Sequence, residues 1–242
     1  MLATLRTVFL FIPAVSLSTI LCGIVSLLLA IVWPGGEASH RVACFWARLL
    51  LRTCGVRVEF EGAERLEKDQ VYVFASNHQS LFDIPILFAR LPSSFRILYK
   101  ESLHGVPFIG WHLYLSGHIP VNRTNPIRAR RSLEKAAERI RRGTAVVVFP
   151  EGTRSRDGSV GRFKGGSFLL AVKAGVPVVP VTISESWRVM SRGRVTVHPG
   201  LVRVVVGRLF SVEGFDEDSV GELSQAVREV VARNYITSGG KP

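Results

Sequence analysis

Between Arg6 and Glu37 the chain carries no charged residue at all. Inside that interval Val8–Trp33 reads VFLFIPAVSLSTILCGIVSLLLAIVW. About 20 apolar residues are enough to cross the hydrocarbon core of a bilayer, so the run is long enough to span. The apolar region of a cleaved signal runs only about 7–15 residues. This run is longer and has no small-x-small exit site, so it reads as a retained anchor. Pro13 and the break at Trp33-Pro34-Gly35-Gly36 leave a second arrangement open. The segment could fold back against Arg41–Cys54 (RVACFWARLLLRTC) as a re-entrant hairpin. That second segment interleaves Arg41, Arg48 and Arg52 with Phe45, Trp46 and leucines, a composition suited either to a membrane interface or to packing on a domain. The expected division is an anchor with its interfacial helix over residues 1–56 and a globular domain over residues 57–242.

The net charge of +12 calls for an anionic partner. An apolar N-terminus makes that partner a membrane rather than nucleic acid, and no nucleic-acid-binding motif occurs in the sequence. Basic residues are denser after the apolar run than before it, which puts the domain on the cytoplasmic side. Cys22, Cys44 and Cys54 have neither disulfide-framework nor metal-ligand spacing. His104, His112 and His118 lack zinc-site spacing, so no metal is expected.

Beyond residue 70, short apolar runs alternate with helical patterns. Val71–Ala75, Phe95–Lys100, Thr144–Phe149 and Val176–Ile183 read as strands. Ser80–Leu91, a helix opened by Asn125-Pro126 and running to Arg142, Ser167–Ala174 and Ser219–Tyr235 read as helices. Arg194–His198 and Val202–Val206 look like a hairpin. The alternation predicts a single α/β domain with a mostly parallel central sheet flanked by helices, carried behind an N-terminal membrane helix or helical hairpin.

Two loops follow apolar strands, where α/β sheets place their ligands. Ser76-Asn77-His78-Gln79-Ser80-Leu81-Phe82-Asp83 offers a histidine and an aspartate five residues on. If the carboxylate takes the Nδ1 proton, Nε2 is left free as a general base. The alternative is that Asp83 serves the helix N-terminus and His78 is an unrelated surface histidine. Phe149-Pro150-Glu151-Gly152-Thr153-Arg154-Ser155, with Lys164-Gly165-Gly166 after it, offers donors and a glycine-opened helix suited to a phosphate, or is simply a basic turn. The glycine–lysine spacing is not that of a Walker loop. No G-x-S-x-G elbow supplies a serine nucleophile, which favours a base acting directly on a substrate hydroxyl.

Asn77-His78-Gln79-Ser80-Leu81-Phe82-Asp83 resembles the N-H-x-x-x-x-D motif of the 1-acyl-glycerol-3-phosphate acyltransferase family. Phe149–Ser155 resembles that family's F-P-E-G-T-R-S block, Gly117–Arg123 its second block, and Val176–Val181 its fourth, all in the family's order. The resemblance implies that His78 is the base and Asp83 orients it. It also implies that Glu151, Gly152, Thr153 and Arg154, helped by Arg123 and Lys100, bind the glycerol-phosphate end of the acceptor. Pro180 would shape the acyl side. The implied reaction transfers a fatty acyl group from acyl-CoA or acyl carrier protein to the sn-2 hydroxyl of lysophosphatidic acid, giving phosphatidic acid. No bound cofactor or metal is implied. The expected partners are membrane phospholipid, lysophosphatidic acid and the acyl carrier, and the expected location is the inner membrane of a bacterium, facing the cytoplasm. Another lysolipid acceptor, or a non-catalytic protein binding anionic lipid, are the competing readings. Two departures from the pattern, Asn122 where the second block often has aspartate and Ser102 inside a K-E-L-like block, fall beside the expected head-group site.

Overall fold

The structure is a computed structural model, and it describes residues 2–106, 109–122 and 125–237. The N-terminal run is helical throughout: α1 (Leu2–Arg6), a π-helical turn at Thr7–Phe11, and α2 (Ile12–Val32). Together they include a 29-residue helix, Thr4–Val32, long and apolar enough to cross a membrane. Pro13 lies in the first turn of α2, directly after the π-helical turn Thr7–Phe11. The chain reverses through Gly35 and Gly36, both at positive φ, into α3 (Glu37–Thr53). α2 and α3 pair as a hairpin: the Ser39 hydroxyl donates to the Ser26 carbonyl at 3.1 Å, and Trp46 Nε1 donates to Thr19 Oγ1 at 3.1 Å.

α3 is not a free interfacial helix. Ala47, Leu50, Leu51 and the following Cys54 are buried in the same apolar cluster as the sheet. Its opposite face leaves Phe45 and Leu49 exposed beside Arg41, Arg48 and Arg52. The packing expectation for this segment therefore holds on one face, and the other face is exposed and mixes apolar with basic side chains. The hairpin turn is held to the domain by Arg96, a buried guanidinium that donates to the Gly35 carbonyl at 2.8 Å.

The domain then runs β1 (Val56–Glu61), β2 (Val73–Ser76), α4 (Asp83–Arg90), β3 (Phe95–Lys100), α5 (Ile109–Leu115), β4 (Ile119–Val121), α6 (Pro126–Arg141), β5 (Ala145–Val148), α7 (Leu169–Ala174), β6 (Val178–Ser184), α8 (Ser186–Val189), β7 (Gly200–Val206) and α9 (Val220–Thr237). The strands form a seven-stranded sheet in the order β1-β7-β6-β2-β5-β3-β4. Every pairing is parallel except β6 with β7. β2, β5 and β6 are buried along their whole length, as apolar strands covered on both faces must be. Strand alternation sends Phe74, Val147 and Val179 to one face, under α3 and α4. It sends Val73, Ala75, Val146, Val148 and Val178 to the other, under α6, α7 and α9.

The expected hairpin between Arg194–His198 and Val202–Val206 does not form. β7 is bonded on one side to β1, in register Val56↔Gly200, and on the other to β6, in register Val181↔Val206. Both hydrogen-bonding edges of β7 are thereby occupied, and residues 194–199 run as a loop. Pro199-Gly200 marks entry to a strand rather than a two-strand turn. Within that loop the Val197 amide donates to Thr7 Oγ1 at 3.2 Å, which ties it to the start of the N-terminal helix.

Candidate active site

β6, β2, β5, β3 and β4 all point the same way, so their carboxyl ends share one edge of the sheet. His78 follows β2, Glu151–Arg154 follow β5, and Lys100 ends β3. Neighbouring strands are about 4.8 Å apart, so Lys100, two strands from β2, stands about 10 Å along the edge from the histidine loop. Arg123, expected to join this edge after β4, lies outside the described residues.

The first loop is built around a carboxylate. α4 starts at Asp83 itself rather than at Ser80, so Ser80–Phe82 are free to bend. Asp83 does not serve its helix's N-terminus. Its side chain turns back, and Oδ2 lies 2.7 Å from His78 Nδ1 while accepting the amides of Gln79 at 2.7 Å and Ser80 at 2.9 Å. Oδ1 accepts the Ser186 hydroxyl at 2.5 Å. A carboxylate with 0% of its side chain exposed needs such a set of donors to stay ionised. Because an ionised carboxylate can only accept, the network assigns the shared proton to His78 Nδ1 and leaves a lone pair on Nε2. The imidazole retains 16% side-chain exposure and stacks on Phe149, with ring centroids 4.1 Å apart and planes 23° from parallel.

Asn77 anchors the loop from the other side. Its amide reproduces a strand pairing with Ile183, donating from Nδ2 to the carbonyl and accepting the backbone N–H at Oδ1, both at 2.8 Å. Gln79 donates to the Gly158 carbonyl at 2.6 Å. Each residue flanking the histidine is thus fixed to a separate piece of backbone, which holds the ring without immobilising it directly.

The second loop wraps the first. Glu151 Oε1 accepts the His78 amide at 3.2 Å, and the Ser155 amide donates to the His78 carbonyl at 2.8 Å. Glu151 is buried, and burial, with the Asp83 charge nearby, pushes its carboxyl up to about 7 against the lowering effect of the His78 and Gly161 amides. Gly152 sits at φ 73° with the Lys164 ammonium above it; a Cβ there would lie 3.2 Å from Nζ. Thr153 is exposed, Arg154 half-buried, and the Arg154 carbonyl accepts from Arg192 at 2.8 Å. The ion pairs formed among the described residues do not involve Lys100, Arg154 or Lys164, the three cations of this edge.

Three sequence readings are refined at this point. The expected helix N-terminus at Gly165-Gly166 is a single 3-10 turn ahead of a six-residue helix, and the amides of Ser167 and Phe168 are already bonded to Lys164 and Gly165. Lys164 contributes a side chain there, and no helix end faces an anion. Pro180 is the third residue of β6, opposite Ala75 near the carboxyl end of β2, with its ring beside Gly207. Asn122 is a loop former: its amide donates to Glu101 and its carbonyl oxygen accepts the Asn125 amide at 2.8 Å. Ser186 was not legible as a site residue, because 103 positions separate it from Asp83 and no motif marks it. Among the described residues no group of three or more histidine, cysteine or carboxylate side chains could hold a metal ion.

A family model described as Acyltransferase matches residues 57–184. A 1-acyl-sn-glycerol-3-phosphate acyltransferase of Pseudomonas aeruginosa is 31% identical over 91% of this chain and 86% of its own. A chloroplastic 1-acyl-sn-glycerol-3-phosphate acyltransferase of Arabidopsis thaliana is 37% identical over 69% of this chain and 47% of its own; the chain spans about half the length of such plant relatives. Among solved structures, the 1-acyl-sn-glycerophosphate acyltransferase PlsC of Thermotoga maritima superposes with a TM-score of 0.80 at 30% identity, covering 96% of this chain and 95% of that one. With the histidine–aspartate pair, the basic loop and the parallel strands β2 to β6 all inside the matched span, the chain belongs to the acyltransferase family.

Proposed function

We propose that this protein transfers a fatty acyl group from the thioester of acyl-CoA or acyl carrier protein to the sn-2 hydroxyl of 1-acyl-glycerol-3-phosphate, giving phosphatidic acid. The observation that carries the reading is the His78 Nδ1–Asp83 contact of 2.7 Å, which leaves Nε2 as the proton acceptor on an edge where Lys100, Arg154 and Lys164 form no ion pair among the described residues. Nε2 takes the hydroxyl proton as the oxygen attacks the thioester carbonyl carbon. The new C–O bond forms, the C–S bond breaks, and the thiolate leaves with the proton that His78 returns. Asp83 holds the ring through this cycle and balances the imidazolium. The step balances without a metal or a bound cofactor.

Arg154, Lys164 and Lys100 are the cations suited to a phosphate monoester, with Arg123 as a further candidate, and exposed Thr153 adds a hydroxyl donor. Gly152 lets the backbone approach the head group. Glu151 acts one step back, as the acceptor that sets the His78 amide. The names of the relatives support the choice of acceptor. The roles of Asn122 in its own loop remove one reason to expect a different head group.

The apolar helix Thr4–Val32 supports attachment to a membrane, and exposed Trp111 and Tyr114 on α5, which packs beside α2, continue that apolar surface. The side proposed to carry the domain is the cytoplasmic one, in the inner membrane of a bacterium.

The test is an acceptor panel presented to the purified protein with one acyl-CoA. Lysophosphatidic acid should be acylated well ahead of lysolipids without a phosphate monoester, and His78→Ala should lose about 10³-fold in turnover while staying in the membrane fraction. Near-normal turnover by His78→Ala would refute the base, and equal rates across the panel would refute the acceptor.

A further inference from the structure

Asp83 is held on two sides, and only one of them is local. The donors to Oδ2 come from residues 78–80 of its own loop. The donor to Oδ1 is the hydroxyl of Ser186, at 2.5 Å, from the far end of β6. Both side chains are fully buried, so no water replaces that contact. Ser186 opens α8 directly after Glu185, one of the two non-glycine residues at positive φ among those described, at 72°. The left-handed conformation is strained for an L-residue, whose Cβ approaches the following carbonyl oxygen. A strained turn at the end of a strand, with the next side chain delivered under a buried carboxylate, has the form of a positioning device. Ser186 also lies just past residue 184, where the family match stops.

We propose that Ser186 is a positioning residue for acyl transfer: its hydroxyl fixes the rotation of the Asp83 carboxylate so that Oδ2 faces His78 Nδ1. Resting on the general-base reading of His78, this adds a third member from a separate strand. Without the hydroxyl, Oδ1 becomes a buried acceptor lacking a partner. The carboxylate can then rotate to share its lone pairs differently, and its charge is less dispersed. The ring is held less often in the orientation that presents Nε2, which slows the chemical step without touching either substrate.

The test compares the full-length purified enzyme with Ser186→Ala and His78→Ala, on one acyl-CoA and lysophosphatidic acid. Ser186→Ala should lower kcat about 10-fold or more, leave the KM of both substrates within about 2-fold, and move the acidic limb of the kcat pH profile to higher pH. Ser186→Cys puts a larger, much weaker donor at the same position and is read on the same scale, so a folding loss in the alanine variant does not decide the matter. A kcat within about 2-fold of the parent and an unmoved acidic limb in the folded variant, with His78→Ala inactive, would overturn the role of Ser186 and leave the base assignment standing. Retained activity in His78→Ala would overturn both.

Discussion

Asp83 and Glu151 are buried carboxylates serving the same histidine, and the structure treats them differently. Asp83 collects donors on both oxygens, including a hydroxyl from across the sheet. Glu151 has backbone amides for partners, and for it desolvation dominates, so its carboxyl is raised from 4.5 to about 7. The consequence for stability has a definite sign. In the folded protein Glu151 holds its proton more tightly than in the unfolded chain, so its contribution is fully present below about pH 4.5 and is lost as pH rises through about 7. The lost amount is on the order of 3 kcal/mol, at about 1.4 kcal/mol per unit. Glu151→Gln keeps an acceptor for the His78 amide and removes the titration. Denaturation midpoints of the two proteins between pH 4.5 and 8 should therefore diverge, the variant gaining on the parent as pH rises. Parallel curves would show that Glu151 is not titrating in this window.

At the scale of elements, α3 belongs to two structures at once. One face completes the α2 hairpin, and the other gives Ala47, Leu50 and Leu51 to the core beneath α4. The proposed boundary after residue 56 consequently passes between a helix and the core it fills. Each lost core leucine costs about 2–5 kcal/mol, against a total stability of about 5–15 kcal/mol for a typical domain. Removing residues 1–36 should leave a folded domain by circular dichroism and limited proteolysis; removing residues 1–55 should not. A folded product in the second case would show that α3 is dispensable packing. How much of this was legible follows from where the information lay. β2, β5 and β6 are largely apolar, with Ser76, Thr182 and Ser184 the exceptions, and can be read from composition alone. β1 alternates Val56, Arg57, Val58, Glu59 over a short stretch, and its pairing partner β7 is far along the chain, so no local pattern marks it as a strand. β4 spans three residues and leaves almost no pattern. The His78–Asp83 pair was visible because five positions fit inside one loop. Arg96 looked like an ordinary residue of an alternating strand, and only the packed hairpin reveals that it grips Gly35.

On the scale of the whole molecule, part of the positive charge is paired. On α6, Arg130 is within 3.6 Å of Glu134 and of Glu217, and Arg141 and Arg142 pair with Glu138. Such exposed pairs contribute little to stability, but they lower the charge left for an anionic surface. The surplus of +12 remains, and its attraction to acidic lipid falls off over about 8 Å at physiological salt. The initial rate on vesicles containing anionic phospholipid should exceed that on zwitterionic vesicles, with the advantage largely gone near 1 M salt. An advantage unaffected by salt would mean that lipid charge acts through a bound site rather than through the field of the molecule.

The pairing of Val56 with Gly200 has a consequence for how the chain is made. Domains emerge from the ribosome N-terminal end first, at about 5–20 residues per second. β1 cannot pair with β7, its neighbour in the sheet among the described residues, until β7 has emerged, about ten seconds or more after the apolar helix. On the proposed membrane attachment, the helix has by then had time to reach lipid, and the sheet closes on a nascent chain already tethered. Synthesis would then place the protein at the surface where its proposed substrate resides, before the last strand completes the fold.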